Sequence, residues 1–198
     1  MISLVFASNN SHKIREIREI LGPGFSVSGL ADIGCTEEIP EPFPTLEENA
    51  LAKARYVYRK YGYNCFSDDS GLETEALGGL PGVKSARFAG PGKTSTDNLN
   101  KLLSMMEGKE NRRARFRAIM ALIMDGREYL FEGVVHGMIT HEAGGSGGFG
   151  YDPVFVPDGY DRRFSEMPSE EKNRISHRFR ALEKLTEFLR GWPLQSQR

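Results

Sequence analysis

The chain has 198 residues, with 26 basic and 27 acidic side chains and a formal net charge of −1. That neutrality excludes a polybasic membrane anchor and a nucleic-acid coat, both of which depend on clustered cations. With 39% apolar and 10% aromatic residues the chain can bury a core, which excludes wholesale disorder. At roughly 150 residues per domain the length argues for a single domain, residues 1–198. The 22 glycines exceed the usual ~7% without a G-X-Y period, so they serve local backbone needs.

Ile2–Ala7 is a short apolar run that reads as a buried strand. From Ser11 to Leu21, Ile14, Ile17, Ile20 and Leu21 recur at helical spacing, and Gly22-Pro23-Gly24 stops the helix. Strand, loop and helix in that order open an α/β unit. Residues 31–50 hold six acidic side chains and no basic one, and Pro40, Pro42 and Pro44 keep their first part extended. Thr45-Leu46-Glu47-Glu48 is a capping box for a helix ending at Gly62. Asn64–Ser67 reads as a strand that ends in the turn Asp68-Asp69-Ser70-Gly71.

Thr94 to Glu107 predicts a helix with Leu99, Leu102, Leu103 and Met106 on one face. Arg112–Met124 and Arg127–Thr140 flank Asp125-Gly126, the strongest short hairpin signal. Asp152–Val156 reads as a last strand, and Ser176–Arg190 as a final helix ended by Gly191 and Pro193. The expected fold is α/β with a mixed sheet. The N-terminus has no basic n-region, and the longest apolar run, Ala118–Met124, is far short of the ~20 residues a bilayer needs. Cys35 and Cys65 have neither CxxC nor zinc spacing and read as reduced thiols. The expectation is a soluble cytoplasmic protein with no membrane partner.

Four clusters could carry chemistry. Ser8-Asn9-Asn10-Ser11-His12-Lys13 lies where the first strand meets the first helix, where free N–H groups and the helix dipole favour an anion; it also reads as an ordinary polar cap. Asp68 and Asp69 bring adjacent carboxylates, hard oxygen donors that suit Mg²⁺, with Glu41 of the acidic stretch as a further candidate. Gly78–Gly90 is a glycine-rich loop in which Arg87 is either a phosphate donor or an ion-pair partner. Between 144 and 150 five of seven residues are glycine, and Phe149 and Tyr151 either stack on a flat base or belong to the core. Downstream, Ser176 can cap the last helix, which leaves His177 and Arg178 in its first turn against the dipole.

Together these segments carry a resemblance. S-N-N-S-H-K, F-S-D-D-S-G-L-E, L-G-G-L-P-G-V-K-S-A-R-F-A-G, G-G-F-G-Y-D-P-V-F, and F-S-E-M followed by E-K-N-R-I-S-H-R stand in the order and spacing of the inosine triphosphate pyrophosphatase family. They span residues 8–178, with Lys84 where that family usually has tyrosine. The resemblance implies an elongated mixed β-sheet flanked by helices, two lobes with a central substrate cleft, and a homodimer. It implies Mg²⁺-dependent hydrolysis of non-canonical purine nucleoside triphosphates (ITP, dITP, XTP) to the monophosphate and pyrophosphate. It assigns Asp69 as general base and metal ligand, Glu41 as the other metal position and Asp68 as a secondary one. It gives Ser8, Asn9, Asn10, Ser11, His12 and Lys13 to the triphosphate and Ser70 to a substrate contact. Phe149, Gly150, Tyr151, Asp152, Lys172, His177 and Arg178 then resemble the nucleoside pocket.

Other readings are a Maf-like pyrophosphatase acting on pyrimidine or modified nucleotides, and a nucleotide-binding regulator without turnover. E-K-N-R-I-S-H-R argues against the first, and the carboxylates at 41, 68 and 69 against the second. A nucleic-acid partner is not expected, because strand alternation puts Arg113, Arg115 and Arg117 on one solvated face.

Overall fold

The structure, a computed structural model, describes residues 1–9 and 11–192, apart from the side chains of Ser11, His12 and Glu16. Among the described residues six strands form one sheet, in the order β2-β1-β3-β4-β5-β6. β1 (Ile2–Phe6) pairs in parallel with β2 (Phe25–Ser28) and with β3 (Cys65–Thr74), whereas β6 (Phe155–Pro157) runs antiparallel to β5 (Arg127–Ile139). With α1 (Ser11–Leu21), α2 (Leu46–Tyr61), α3 (Ser95–Met105), α4 (Ser169–Ile175) and α5 (His177–Arg190), the sheet is mixed and flanked by helices, as expected. None of the described helices is long and apolar enough to cross a membrane.

The chain divides into two compact units. The first takes Met1–Asp69, Ile119–Glu132 and the segment beginning at Ala181; the second takes Ser70–Ala118 and Gly133–Arg180. In the first, Leu4, Val5, Phe6, Ile17, Val57, Phe66, Leu182 and Leu185 are buried, and Phe6 stacks on Phe66 with centroids 4.9 Å apart. In the second, one apolar cluster joins Leu72, Leu99, Leu102, Met106, Phe116, Tyr151, Phe155 and Phe164.

β4 (Arg113–Met124) shows how the pattern of residues sets exposure. From Arg113 to Arg117 apolar and charged residues alternate, and only Ala114 and Phe116 are buried. From Ala118 to Met124 the run is continuously apolar and every residue is buried, the signature of a strand covered on both faces. Asp125 and Gly126 close the hairpin at φ 49° and 77°, the sense that matches the twist of the flanking strands. The three arginines of the alternating part each hold a carboxylate: Arg113 grips Asp158 through two bonds of 2.8 and 3.0 Å, and Arg115 and Arg117 share Glu73.

The helix boundaries follow from their caps. The Thr45 hydroxyl accepts the Glu48 N–H at 3.2 Å, and the Glu48 carboxylate reaches back to that hydroxyl at 2.8 Å. Thr94 and Asp97 form a full capping box at the start of α3. These backbone and hydroxyl donors hold the Asp97 carboxyl below its usual range. Cys35 and Cys65 are both buried free thiols, and burial pushes Cys65 up to about 12.

Three expectations are corrected. β3 does not end in a turn at Asp68 but continues extended to Thr74, because Ser70–Thr74 finds strand partners beyond β1. Asp152–Val154 is a 3₁₀ turn and not a strand; Pro153 has no N–H to give a ladder, and pairing begins at Phe155. β2 and α4 were not foreseen: four and seven residues are too few for a periodic signal.

The continuation of β3 depends on a residue without a Cβ. The Ser85 hydroxyl accepts the Leu72 N–H at 2.9 Å and donates to the Gly82 carbonyl at 2.6 Å, which presses the 82–87 turn onto Gly71. A Cβ at Gly71 would fall on the Gly82 carbonyl and the Ser85 hydroxyl. Gly71→Ala is therefore expected to destabilise the protein by about 2 kcal/mol. The measurement is a fall in the denaturant midpoint at unchanged slope.

Candidate active site

In the first unit the main chain leaves β1 at Phe6 and enters α1 at Ser11. The Ser8 carbonyl accepts the Leu30 N–H at 3.2 Å, and the Asn9 side-chain oxygen accepts the Ala31 N–H at 2.9 Å. Asn9 thus ties the loop to the turn that follows β2. Asn10 lies outside the described residues, as do the side chains of Ser11 and His12. The first turn of α1 carries no acidic side chain of its own, so its N-terminal dipole end favours an anion.

Lys13 projects from that turn onto β3. Its ammonium donates to both oxygens of Asp68, at 3.2 and 2.9 Å. The Asp68 carbonyl in turn accepts a bond of 2.5 Å from Lys53, whose ammonium also pairs with Glu41. Asp68 therefore gathers two lysines, one on its side chain and one on its main chain. Lys53 was not singled out from the sequence, although a signal was there. It lies on the stripe of α2 that contains Leu46, Asn49, Ala50, Ala54 and Val57, all buried. A lysine in an apolar stripe has to find a partner.

Glu41 is fixed by its neighbours. Asn49, fully buried, donates to the Phe43 carbonyl at 3.2 Å and accepts the Phe43 N–H at 2.9 Å. That clasp seats the Pro42-Phe43-Pro44 segment against α2. Ser67 fastens β3 to the same helix through a 2.5 Å bond to the Ala50 carbonyl. Because β3 is extended, successive side chains leave on opposite faces, so Asp68 is buried while Asp69 is half-buried on the next position. The pair does not offer itself to one ion in the way a turn would.

The donor set bears on a metal. Among the described residues no group of three or more His, Cys, Asp and Glu side chains could hold an ion by itself. A cation does meet oxygens here, since the Lys53 ammonium sits between the Glu41 carboxylate and the main-chain oxygen that precedes Asp69. Hard carboxylate oxygens in that place, one or two in number, fit Mg²⁺ with phosphate oxygens completing its shell.

In the second unit the glycine-rich segment has a structural reason. A Cβ at Gly144 would meet the Arg163 guanidinium, at Gly145 and Gly147 it would meet Ser165, and at Gly148 it would meet Asp152. The run lies flat on residues 163–166, sealed by Gly147 N–H to the Ser165 carbonyl at 3.0 Å and Ser165 hydroxyl to the Gly144 carbonyl at 2.6 Å. It emerges at Phe149, which is 66% exposed.

Phe149 and Tyr151 part company. Tyr151 is buried in the apolar cluster, its hydroxyl donates to the Ser85 carbonyl at 2.8 Å, and burial raises its pKa. It is a core residue and offers no stacking face. Phe149 keeps its ring outside, held by its own N–H on the Asp152 carboxylate at 2.8 Å. Asp152 is buried, and the same oxygen receives the Lys172 ammonium at 2.5 Å. That ammonium stands 4.4 Å from the Phe149 centroid, a cation–π contact. One buried carboxylate thereby arranges both an aromatic plane and a cation. Gly150, at φ 61°, supplies the bend between Phe149 and Tyr151.

At the start of α5 the Ser176 hydroxyl accepts the Phe179 N–H at 3.1 Å, which is the expected cap. His177 lies flat on Phe116, with centroids 4.8 Å apart and planes 12° from parallel. Arg178, beside it in the first turn, is half-buried, as is Ser70 on β3.

The chain is similar to known proteins along nearly its whole length. The model of the Ham1 family matches residues 4–188. A protein of Porphyromonas gingivalis named dITP/XTP pyrophosphatase is 50% identical over 190 residues, 96% of this chain and 98% of that one. One of Flavobacterium johnsoniae with the same name is 48% identical over 188 residues, 95% and 98% of the two chains. Among solved structures, the Staphylococcus aureus Ham1 protein superposes with a TM-score of 0.91 at 36% identity, covering 96% of this chain and 98% of its own. A HAM1 protein from Coxiella burnetii gives a TM-score of 0.93 at 35% identity, covering 97% and 100%. The chain belongs to the Ham1 family.

Proposed function

We propose that this protein is a Mg²⁺-dependent nucleoside triphosphate pyrophosphatase that acts on non-canonical purine nucleotides, ITP, dITP and XTP, and releases the monophosphate and pyrophosphate. The names of its relatives support the substrate class. The observation that carries the chemistry is the set Lys13, Asp68, Lys53 and Glu41 around β3, two lysines and two carboxylates just past the point where the parallel pairing of β1 with β3 ends. Ligands of open α/β sheets bind at the carboxyl ends of such strands.

In this reading the triphosphate lies against the α1 N-terminus, with Ser8 to Lys13 around it and Lys13 on the departing pyrophosphate. Water attacks the α-phosphorus as the bond to the bridging oxygen breaks, and its proton passes to the Asp69 carboxylate. Asp69 is half-buried on an extended strand, so its position is set by the sheet and not by a mobile loop. Glu41 and Asp69 would hold the Mg²⁺, which when bound neutralises phosphate charge and polarises the phosphoryl oxygens. Lys53 fixes Glu41 beside β3 for that purpose. Such reactions need alignment and charge neutralisation more than covalent chemistry.

The second unit carries groups suited to a purine base. Phe149 is the exposed plane on which the base would stack, with Lys172 behind the ring. Lys172, Arg178 and the amides after Ser176 are donors. Of these, Arg178 and the His177 and Arg178 amides suit the 6-keto group of hypoxanthine or xanthine and oppose the 6-amino group of adenine, since a donor facing a buried donor costs about 1–3 kcal/mol, while Lys172 backs the ring. A homodimer is part of the proposal. A nucleic-acid partner is not, because Arg113, Arg115 and Arg117 are engaged with Asp158 and Glu73.

A panel of ITP, XTP, ATP and GTP with Mg²⁺ tests the reaction: ITP and XTP should give pyrophosphate and the monophosphate. Orthophosphate with a diphosphate would refute it, and preference for UTP or CTP would favour the Maf-like alternative. Asp69→Asn should lower kcat about 10²–10⁴-fold while pyrophosphate binding remains measurable by calorimetry. Phe149→Ala should raise KM for ITP by roughly 5–100-fold, the loss of one base–aromatic stack, with a smaller change in kcat.

A further inference from the structure

We propose that Asp68 is a positioning residue that acts through Lys13 and is not a metal ligand. The inference rests on the phosphate-binding role given to Lys13 above, but its physical basis is separate. A carboxylate removed from water stays ionised only beside a cation, and both Asp68 oxygens are given to the Lys13 ammonium. The pair is oriented: the Asp68 side chain is 5% exposed and that of Lys13 is 29% exposed. The negative end lies behind and the positive end faces outward, as an incoming polyanion requires.

The carboxylate is itself fixed by its main chain. Asp68 lies within β3, and its carbonyl is held by Lys53 at 2.5 Å, which in turn is held by Glu41. A lysine side chain left alone samples many rotamers. Tying its tip to a rigid strand removes that freedom before the substrate arrives. Glu41, the carboxylate assigned to Mg²⁺, also holds a lysine but its side chain is 31% exposed, whereas Asp68 at 5% offers a hydrated dication far less access.

A thermodynamic cycle of wild type, Lys13→Met, Asp68→Asn and the double variant tests this, read by thermal midpoint, by kcat/KM for ITP and by Mg²⁺ half-saturation. Lys13→Met strands a buried charge and should give the lowest midpoint, much of which Asp68→Asn should restore in the double variant. Asp68→Asn should lower kcat/KM by about tenfold in the native background but by less than about twofold beside Lys13→Met. Mg²⁺ half-saturation in Asp68→Asn should match wild type. Lys13→Arg, which keeps the charge, should keep most of the midpoint and serves where Lys13→Met does not fold. Additive losses of kcat/KM, or a marked rise in Mg²⁺ half-saturation in Asp68→Asn, would overturn the proposal. If wild type leaves ITP intact, the proposed function fails, whereas the midpoints and pyrophosphate binding by calorimetry still decide the coupling of the pair.

Discussion

A buried carboxylate has to be neutralised where it stands, and in the first unit that requirement organises everything near β3. Asp68 is 4% exposed. Its charge draws Lys13 from α1, its carbonyl draws Lys53 from α2, and Lys53 draws Glu41 from the proline-spaced loop. Three segments, the loop and α2 being neighbours in sequence, are thereby brought to one strand. Breaking such a pair at one end costs several kcal/mol, commonly about 3–5, because the other charge remains. The arrangement is consequently rigid where phosphoryl transfer needs rigidity.

The second unit uses the same device with a different result. Asp152, also 4% exposed, holds Lys172 and the backbone of Phe149 through one oxygen. In both units a buried aspartate holds a lysine, whose side chain is 29% exposed at β3 and 12% exposed behind Phe149. At β3 the lysine stands beside a helix N-terminus, a setting for phosphate. At Phe149 it stands behind an exposed ring, a setting for a flat heterocycle. The lysines are alike; the neighbouring groups differentiate their tasks.

Much of this was legible before any coordinates. The helix from Ser11 to Leu21 matched at both ends, because Gly22-Pro23 cannot continue it. The hairpin at Asp125-Gly126 matched because its turn type demands those residues. What was not legible depended on tertiary partners. Nothing local tells whether Asp68-Asp69-Ser70-Gly71 turns or runs on; the sheet partners of β3 decided it. Phe149 and Tyr151 look equivalent in sequence, yet only Tyr151 found an acceptor inside, the Ser85 carbonyl. The glycines before them serve the close backbone approach that glycine allows, here to residues 163–166. Lys53 was hidden because its partners, Glu41 and the Asp68 carbonyl, are twelve and fifteen positions away.

The double-sided burial of Ala118–Met124 reaches into the life of the chain before it is folded. Seven consecutive apolar residues without charge, proline or glycine are the composition of a segment that stacks with copies of itself when left uncovered. Native packing hides every one of them, so the hazard exists only while β4 awaits its neighbours. Charges stand at both borders, Arg117 before the run and Asp125 and Arg127 after it, where they oppose intermolecular registry. The two-residue turn adds a kinetic safeguard: hairpins close in about 1–10 μs, so β5 can cover one edge of β4 long before distant strands arrive. The arginines that begin β4 thus guard solubility during synthesis, apart from any part they play in the finished enzyme.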